Sequence, residues 1–126
     1  MRLLLDTQVL LWWLFADRRL GADATQAITN ADNDVLVSAV SAFEICTKQA
    51  IGKVQAPDDL EQQLMASSFQ ELPVTMAHSF EVRSLPMHHK DPFDRILVAQ
   101  ARFEDLTLLT SDRMLRAYDV RTMPAG

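Results

Sequence analysis

Asp6, Glu44, Asp94 and Asp112 are the residues of this 126-residue chain whose types and settings point to chemistry. Each stands just after an apolar run or near the start of a helix-like segment, although almost the whole chain separates the first from the last. In a parallel α/β sheet the strand ends gather at one edge. Carboxylates remote in sequence then converge in a crevice outside the carboxyl ends of the strands. Such groups repel one another unless a cation lies between them. Oxygen-only donors suit hard ions such as magnesium or manganese, which serve phosphate chemistry. The set supplies what metal-assisted hydrolysis requires: ligands for an ion, and a carboxylate to orient or deprotonate an attacking water.

Taken singly, each acid also has a purely structural reading. Asp6 follows three leucines and could cap the next helix. Glu44 lies three residues after Ser41, the spacing of a capping box. Ser38 is the better cap if the helix starts straight after the strand, which puts Glu44 about a turn and a half inside. Asp94 falls at the third helical position behind the cap Asp91, where the helix dipole favours a carboxylate without any metal. Ser111-Asp112 could cap a short helix around Met114 and Leu115. Capping does not explain why two strand-end aspartates and two helix-borne acids share one sheet edge.

The elements that position them follow from the apolar pattern. Leu3-Leu4-Leu5 is a continuous apolar run, as expected of a strand buried on both faces. Val9 to Phe15 reads as a helix, and residues 22 to 31 as a second, alanine-rich one. The turn-like stretch 30 to 34 leads into the strand Val35-Leu36-Val37, closed by Ser38. Ala39 to Ile51 suits a helix, stopped at Gly52 by a left-handed cap. Pro57-Asp58-Asp59 opens a helix to about Ser67, Phe69 to Val74 reads as a strand, and 75 to 84 as helical. After the loop 87 to 90, Asp91 and Pro92 give the strongest helix start in the chain. Its core face is assigned to Phe93, Ile96, Leu97, Ala101 and Phe103. Leu106 to Leu109 is another strand, and Val120 to Met123 a last edge strand. Strands alternating with helices mean a parallel sheet covered on both sides.

Hydrophobic residues at 48% and charged ones at 23% fit a globular protein, and residues 1–126 read as one domain. The single cysteine, Cys46, excludes an internal disulfide and agrees with a reducing cytoplasm; it reads as a small buried helix residue. The apolar N-terminus superficially resembles a signal peptide, but Asp6 interrupts it, and neither half approaches the ~20 residues that span a bilayer. A cytoplasmic protein with no membrane partner is the expectation. The net charge of −5 is awkward for a nucleic-acid binder. The proposed site accounts for four of the negatives, and a bound divalent ion offsets part of them. Arg18, Arg19, Lys48, Lys53, Lys90, Arg95, Arg113 and Arg116 could supply a local basic rim.

Other chemistries are poorly served. His88-His89 stands in a loop with no cysteine or third histidine spaced for zinc, and reads as an exposed pair. Only three glycines are present, too few for a phosphate-cradling loop. Trp12 and Trp13, adjacent on one helix, must point apart, one into the core and one toward a partly exposed surface that hints at an interface.

Leu3-Leu4-Leu5-Asp6-Thr7 with Leu11-Trp12-Trp13, Ser38 with Glu44-Ile45, His88 to Arg95 with Ala99-Gln100-Ala101, and Leu109 to Asp112 together resemble PIN-domain proteins of the VapC toxin family. The resemblance runs through nearly the whole chain, and Asp-Pro-Phe-Asp-Arg at 91 to 95 is its most specific segment. It implies a Rossmann-like three-layer α/β/α fold with a mainly parallel sheet, and a magnesium- or manganese-dependent endoribonuclease. It further implies that Asp6, Glu44, Asp94 and Asp112 form the acidic quartet, with Asp6, Asp94 and Asp112 as metal ligands. Thr7, Ser38, Ser111 and Arg95 match supporting positions. Expected partners are an RNA substrate, a VapB-type antitoxin and a second copy of the chain. Family members often carry histidine where this chain has Gln8, a departure that touches RNA contact and not the metal centre.

Rival readings remain open on the residues alone. An aspartyl-nucleophile phosphatase also places an aspartate after its first strand, but wants a second two residues on, where Gln8 stands. A receiver-like domain wants an acidic pair and a late lysine, both missing. A toxin fold kept only for binding has no need of four intact acids.

Overall fold

The computed structural model describes residues 1–126. Its five strands form one sheet in the order β3-β2-β1-β4-β5, parallel at every pairing. The strands are β1 (Arg2–Leu5), β2 (Asp34–Ser38), β3 (Gln70–Leu72), β4 (Thr107–Thr110) and β5 (Thr122–Pro124). The helices are α1 (Thr7–Leu14), α2 (Ala22–Thr29), α3 (Ala39–Ala50), α4 (Leu60–Ala66), α5 (Met76–Val82) and α6 (Pro92–Phe103), with a short 3₁₀ turn at Leu115–Ala117.

Alternation along the central strands divides the core into two layers. Leu3 and Leu5 of β1, Val35 and Val37 of β2, and Leu109 of β4 face α1, α2 and α4, meeting Val9, Leu10, Ala24, Ile28 and Leu60. Leu4, Leu36 and Leu108 point to the opposite side, against Leu97, Val98 and Ala101 of α6. Both faces of the sheet are therefore covered, giving three α/β/α layers. Each fully buried leucine contributes about 1.5–3 kcal/mol, and all three of Leu3, Leu4 and Leu5 are 0% exposed. The unbroken apolar run is the consequence of that double burial.

Helix ends follow their caps. Asp6 caps α1, Ser38 caps α3 through a bond to Val40 N–H, and Asp91 caps α6 with Pro92 just inside. Gly52 adopts φ +72°, the left-handed conformation expected where α3 stops. The edge strands β3 and β5 are shorter than the apolar runs around them suggest.

Two residues assigned to the core are exposed. Cys46 is exposed, because it follows Ile45, the buried position of α3, and is rotated by one residue toward solvent. Phe103 is 54% exposed at the last position of α6, with its ring edge against His78. Trp12 is buried and Trp13 half-buried, as adjacent helical positions require. No helix is long and apolar enough to cross a membrane.

Candidate metal centre

Because β1 and β4 are neighbours, their carboxyl ends bring Asp6 and Asp112 to one edge of the sheet. Asp6 N–H donates to Leu109 O at 3.1 Å, fixing the strand end. The fold engages each side-chain oxygen once: Oδ1 accepts from Val9 N–H at 2.7 Å, and Oδ2 accepts from the Thr110 hydroxyl, which leaves a lone pair on each. Asp112 N–H donates to the same Thr110 oxygen at 3.0 Å, and Asp112 Oδ1 accepts from Met114 N–H at 2.9 Å. Both aspartates thus cap turns as well as facing the crevice.

Burial pushes the Asp6 carboxyl up to about 6, overriding the hydrogen bonds from Thr110 and Val9 that favour its charge, and the Asp112 and Glu44 carboxylates add to the rise. Asp94, in the first turn of α6, is pushed up to about 7, first by burial and then by Asp91, with nearby His89 opposing. Two raised carboxyls in one crevice mark it as a candidate functional site.

Glu44 enters from α3 and is buried. Its Oε2 is 2.5 Å from Lys48 Nζ, one turn further on, and this contact raises the lysine pKa. Its Oε1 is buried with no hydrogen-bond partner. An orphaned buried carboxylate oxygen costs free energy unless something positive meets it. That orphan and the all-oxygen donors of the four acids fit a hard divalent ion.

The four acids line one crevice of about 300 Å³, together with Thr7, Gln8, Ser111, Lys48 and Asp91. Thr7 spends its hydroxyl on Ser41 Oγ at 3.0 Å, which ties α1 to α3 behind the acids. Ser38 is fully buried and occupied with capping α3; it is not among the crevice-lining residues. Of the eight basic residues read as a rim, Lys48 alone lines the crevice.

Arg95 is buried and turned away from the crevice. Its Nη1 donates to Pro86 O, His89 O and the Tyr118 hydroxyl, and its Nη2 to Val82 O and Leu85 O. It belongs to no basic rim: it fastens the loop that precedes α6. That loop carries the second correction. His88 is exposed, but the His89 Nε2 lies 3.2 Å from Asp94 Oδ2 and 3.4 Å from Asp112 Oδ2.

Sequence reasoning also passed over Thr110 as a support for Asp6, although it sits in the Leu109–Asp112 segment singled out above. Asp91, read only as a cap, lines the crevice while still accepting from Phe93 N–H at 2.8 Å. Phe93, expected in the core, is half-buried near the crevice mouth, 6.0 Å from the Phe43 ring and 5.9 Å from Lys48 Nζ.

A parallel sheet of this order, covered on both faces and with acids collected at its carboxyl edge, defines an open α/β fold whose ligands bind at that edge. The sequence profile of the PIN domain matches residues 3–121, and the chain belongs to the PIN domain family. Within that family it is similar to Ribonuclease VapC22 of Mycobacterium tuberculosis (strain ATCC 25618 / H37Rv), 31% identical over 118 residues, covering 91% of this chain and 90% of the relative.

Solved structures share the fold at lower identity. VapBC2 from Rickettsia felis, bound to a DNA fragment from its promoter, superposes with a TM-score of 0.78 at 12% identity over 100% of both chains. DNA-bound VapBC from Salmonella typhimurium gives 0.71 at 12% identity, over 100% of this chain and 99% of the other. FitAcB from Neisseria gonorrhoeae gives 0.68 at 23% identity over 96% of each.

Proposed function

We propose that the chain is a magnesium- or manganese-dependent endoribonuclease, the toxin of a toxin–antitoxin pair. The observation that carries this reading is the convergence of Asp6, Glu44, Asp94 and Asp112 on one crevice in which a buried Glu44 oxygen has no partner. Asp6, Asp94 and Asp112 would hold the ion, and Glu44 would orient the water or complete a second site. When bound, such an ion lowers the pKa of a water and offsets charge on the phosphoryl oxygens.

The chain's own groups do the rest. Thr110 keeps one Asp6 oxygen fixed, leaving no rotamer freedom at the strand end. Lys48 places a cation at the mouth of an acidic crevice, where an approaching phosphate needs one. With water as nucleophile the RNA 2′-hydroxyl takes no part, and a single-stranded or looped backbone is the form that enters a crevice. A VapB-type antitoxin is the expected partner, since VapBC2 from Rickettsia felis and VapBC from Salmonella typhimurium share this fold. A second copy of the chain is the other expected partner.

Cleavage of a labelled mixed RNA pool by the purified, antitoxin-free protein tests the activity. It should require magnesium or manganese, stop with EDTA, and disappear in the Asp6→Asn, Asp94→Asn double variant. A folded wild type that binds neither ion overturns the reading.

A further inference from the structure

His89 is held at both ends. Its backbone N–H donates to the Tyr118 hydroxyl at 2.9 Å, and its carbonyl accepts from Arg95 Nη1 at 3.3 Å. Its ring is fixed from the other side: Nδ1 accepts from Asp91 N–H at 3.0 Å. A backbone N–H can only donate, so Nδ1 carries no proton, and in the neutral ring the proton is on Nε2.

That nitrogen is the one between the two acids. His89, Asp94 and Asp112 offer three donor atoms within 4.8 Å of one another, which looks like a mixed site for a transition metal. The tautomer argues otherwise. A protonated Nε2 has no free lone pair in the ring plane, and releasing one requires breaking the bond between Nδ1 and Asp91.

We propose that His89 is a positioning residue of the metal centre: its Nε2, 3.2 Å from Asp94 Oδ2 and 3.4 Å from Asp112 Oδ2, spaces the two carboxylates while the imidazole stays outside the ion's coordination sphere. This rests on the metal-dependent reading above and adds a residue to it. The coordination sphere is then all oxygen, which favours magnesium and manganese over zinc. The Asp-Pro-Phe-Asp-Arg segment gains a division of labour. Asp94 faces the crevice, Asp91 fixes the His89 ring, and Arg95 holds the loop from behind.

Two measurements on the full chain test it. In two-bond proton–nitrogen spectra of ¹⁵N-labelled protein, His89 should show a proton on Nε2 and none on Nδ1, both ion-free and with magnesium bound. Its signals are assigned by their loss in His89→Gln. By calorimetry, His89→Ala should bind magnesium about tenfold more weakly, the usual cost of losing a partner just outside the coordination shell. His89→Gln, whose amide nitrogen reaches the same place, should recover most of that loss.

An Nε2 that loses its proton to bound magnesium overturns the proposal and makes His89 a ligand. Equal magnesium affinity in wild type and a folded His89→Ala overturns it as well, while leaving the nuclease reading intact. Absence of magnesium and manganese binding by the wild type overturns both. If His89→Ala does not fold, weak binding by a folded His89→Gln overturns the proposal and wild-type-like binding supports it.

Discussion

Thr110 and Asp6 lie 104 residues apart and are joined by one hydrogen bond: the Thr110 hydroxyl donates to Asp6 Oδ2 while accepting from Asp112 N–H. One buried hydroxyl therefore couples two of the acids across neighbouring strands. Thr110→Val keeps the shape and removes the donor. The Asp6 carboxyl should move above its value of about 6, and magnesium affinity at neutral pH should fall about tenfold. Calorimetric titration reads both; unchanged affinity would show that the hydroxyl is merely structural.

The ion-free protein should lose stability as pH rises. Asp6 and Asp94 titrate at about 6 and about 7 in the folded chain, against the ordinary 3.8 when unfolded. Between those values the folded state binds more protons, so stability is full below about pH 4 and is lost as pH rises through 6 and 7. For Asp6 the difference is on the order of 3 kcal/mol. Melting temperatures at about pH 5 and pH 8 should differ in that sense, and magnesium should restore the loss at pH 8. Asp17, held near 2 by Arg19, titrates below this window. A melting temperature that climbs toward pH 8 without ions would contradict the assignment.

Asp6→Asn should move stability and function in opposite directions. The amide oxygen can still accept from Val9 N–H, while the costly buried charge is gone. At pH 8 the ion-free variant should be more stable than wild type by about 2 kcal/mol, yet RNA cleavage should fall at least ~100-fold. Chemical denaturation beside a cleavage assay separates the two effects; a variant that is both less stable and inactive would point to a structural Asp6.

Arg95→Lys should destabilise although charge is kept. One ammonium cannot reach the four carbonyls and the Tyr118 hydroxyl that the guanidinium fork serves. A cost of about 2–3 kcal/mol is expected from the urea midpoint. Hydrogen exchange at the His89 amide should quicken, since the loop that presents it to Tyr118 is loosened.

What the sequence disclosed and what it hid follow from where each signal originates. β1, β2 and β4 were legible because burial on both faces leaves continuous apolar runs, and α6 because Asp91 and Pro92 announce its start. That the four acids would share one crevice was legible because strand ends and helices at the same sheet edge carry them. His89 was not, since its role depends on the path of a loop, and that path is set by Arg95 and Tyr118 from elsewhere in the chain. Arg95 itself misled for the same reason: one position on from Asp94 it is turned by about 100° around the helix, toward the preceding loop. Phe103 and Cys46 kept to helical spacing but lay past the end of the packed face or one position out of phase.

Strand order gives the centre a timetable. Asp6 is made 104 residues ahead of the hydroxyl that holds it. At synthesis rates of about 5–20 residues per second, that interval lasts roughly 5–20 s. A nascent chain carries its first carboxylate long before it has a strand β4 to pair with, and the crevice closes only when Thr110 and Asp112 have been made. A chain that has reached Asp6 but not β4 therefore has no assembled crevice to offer.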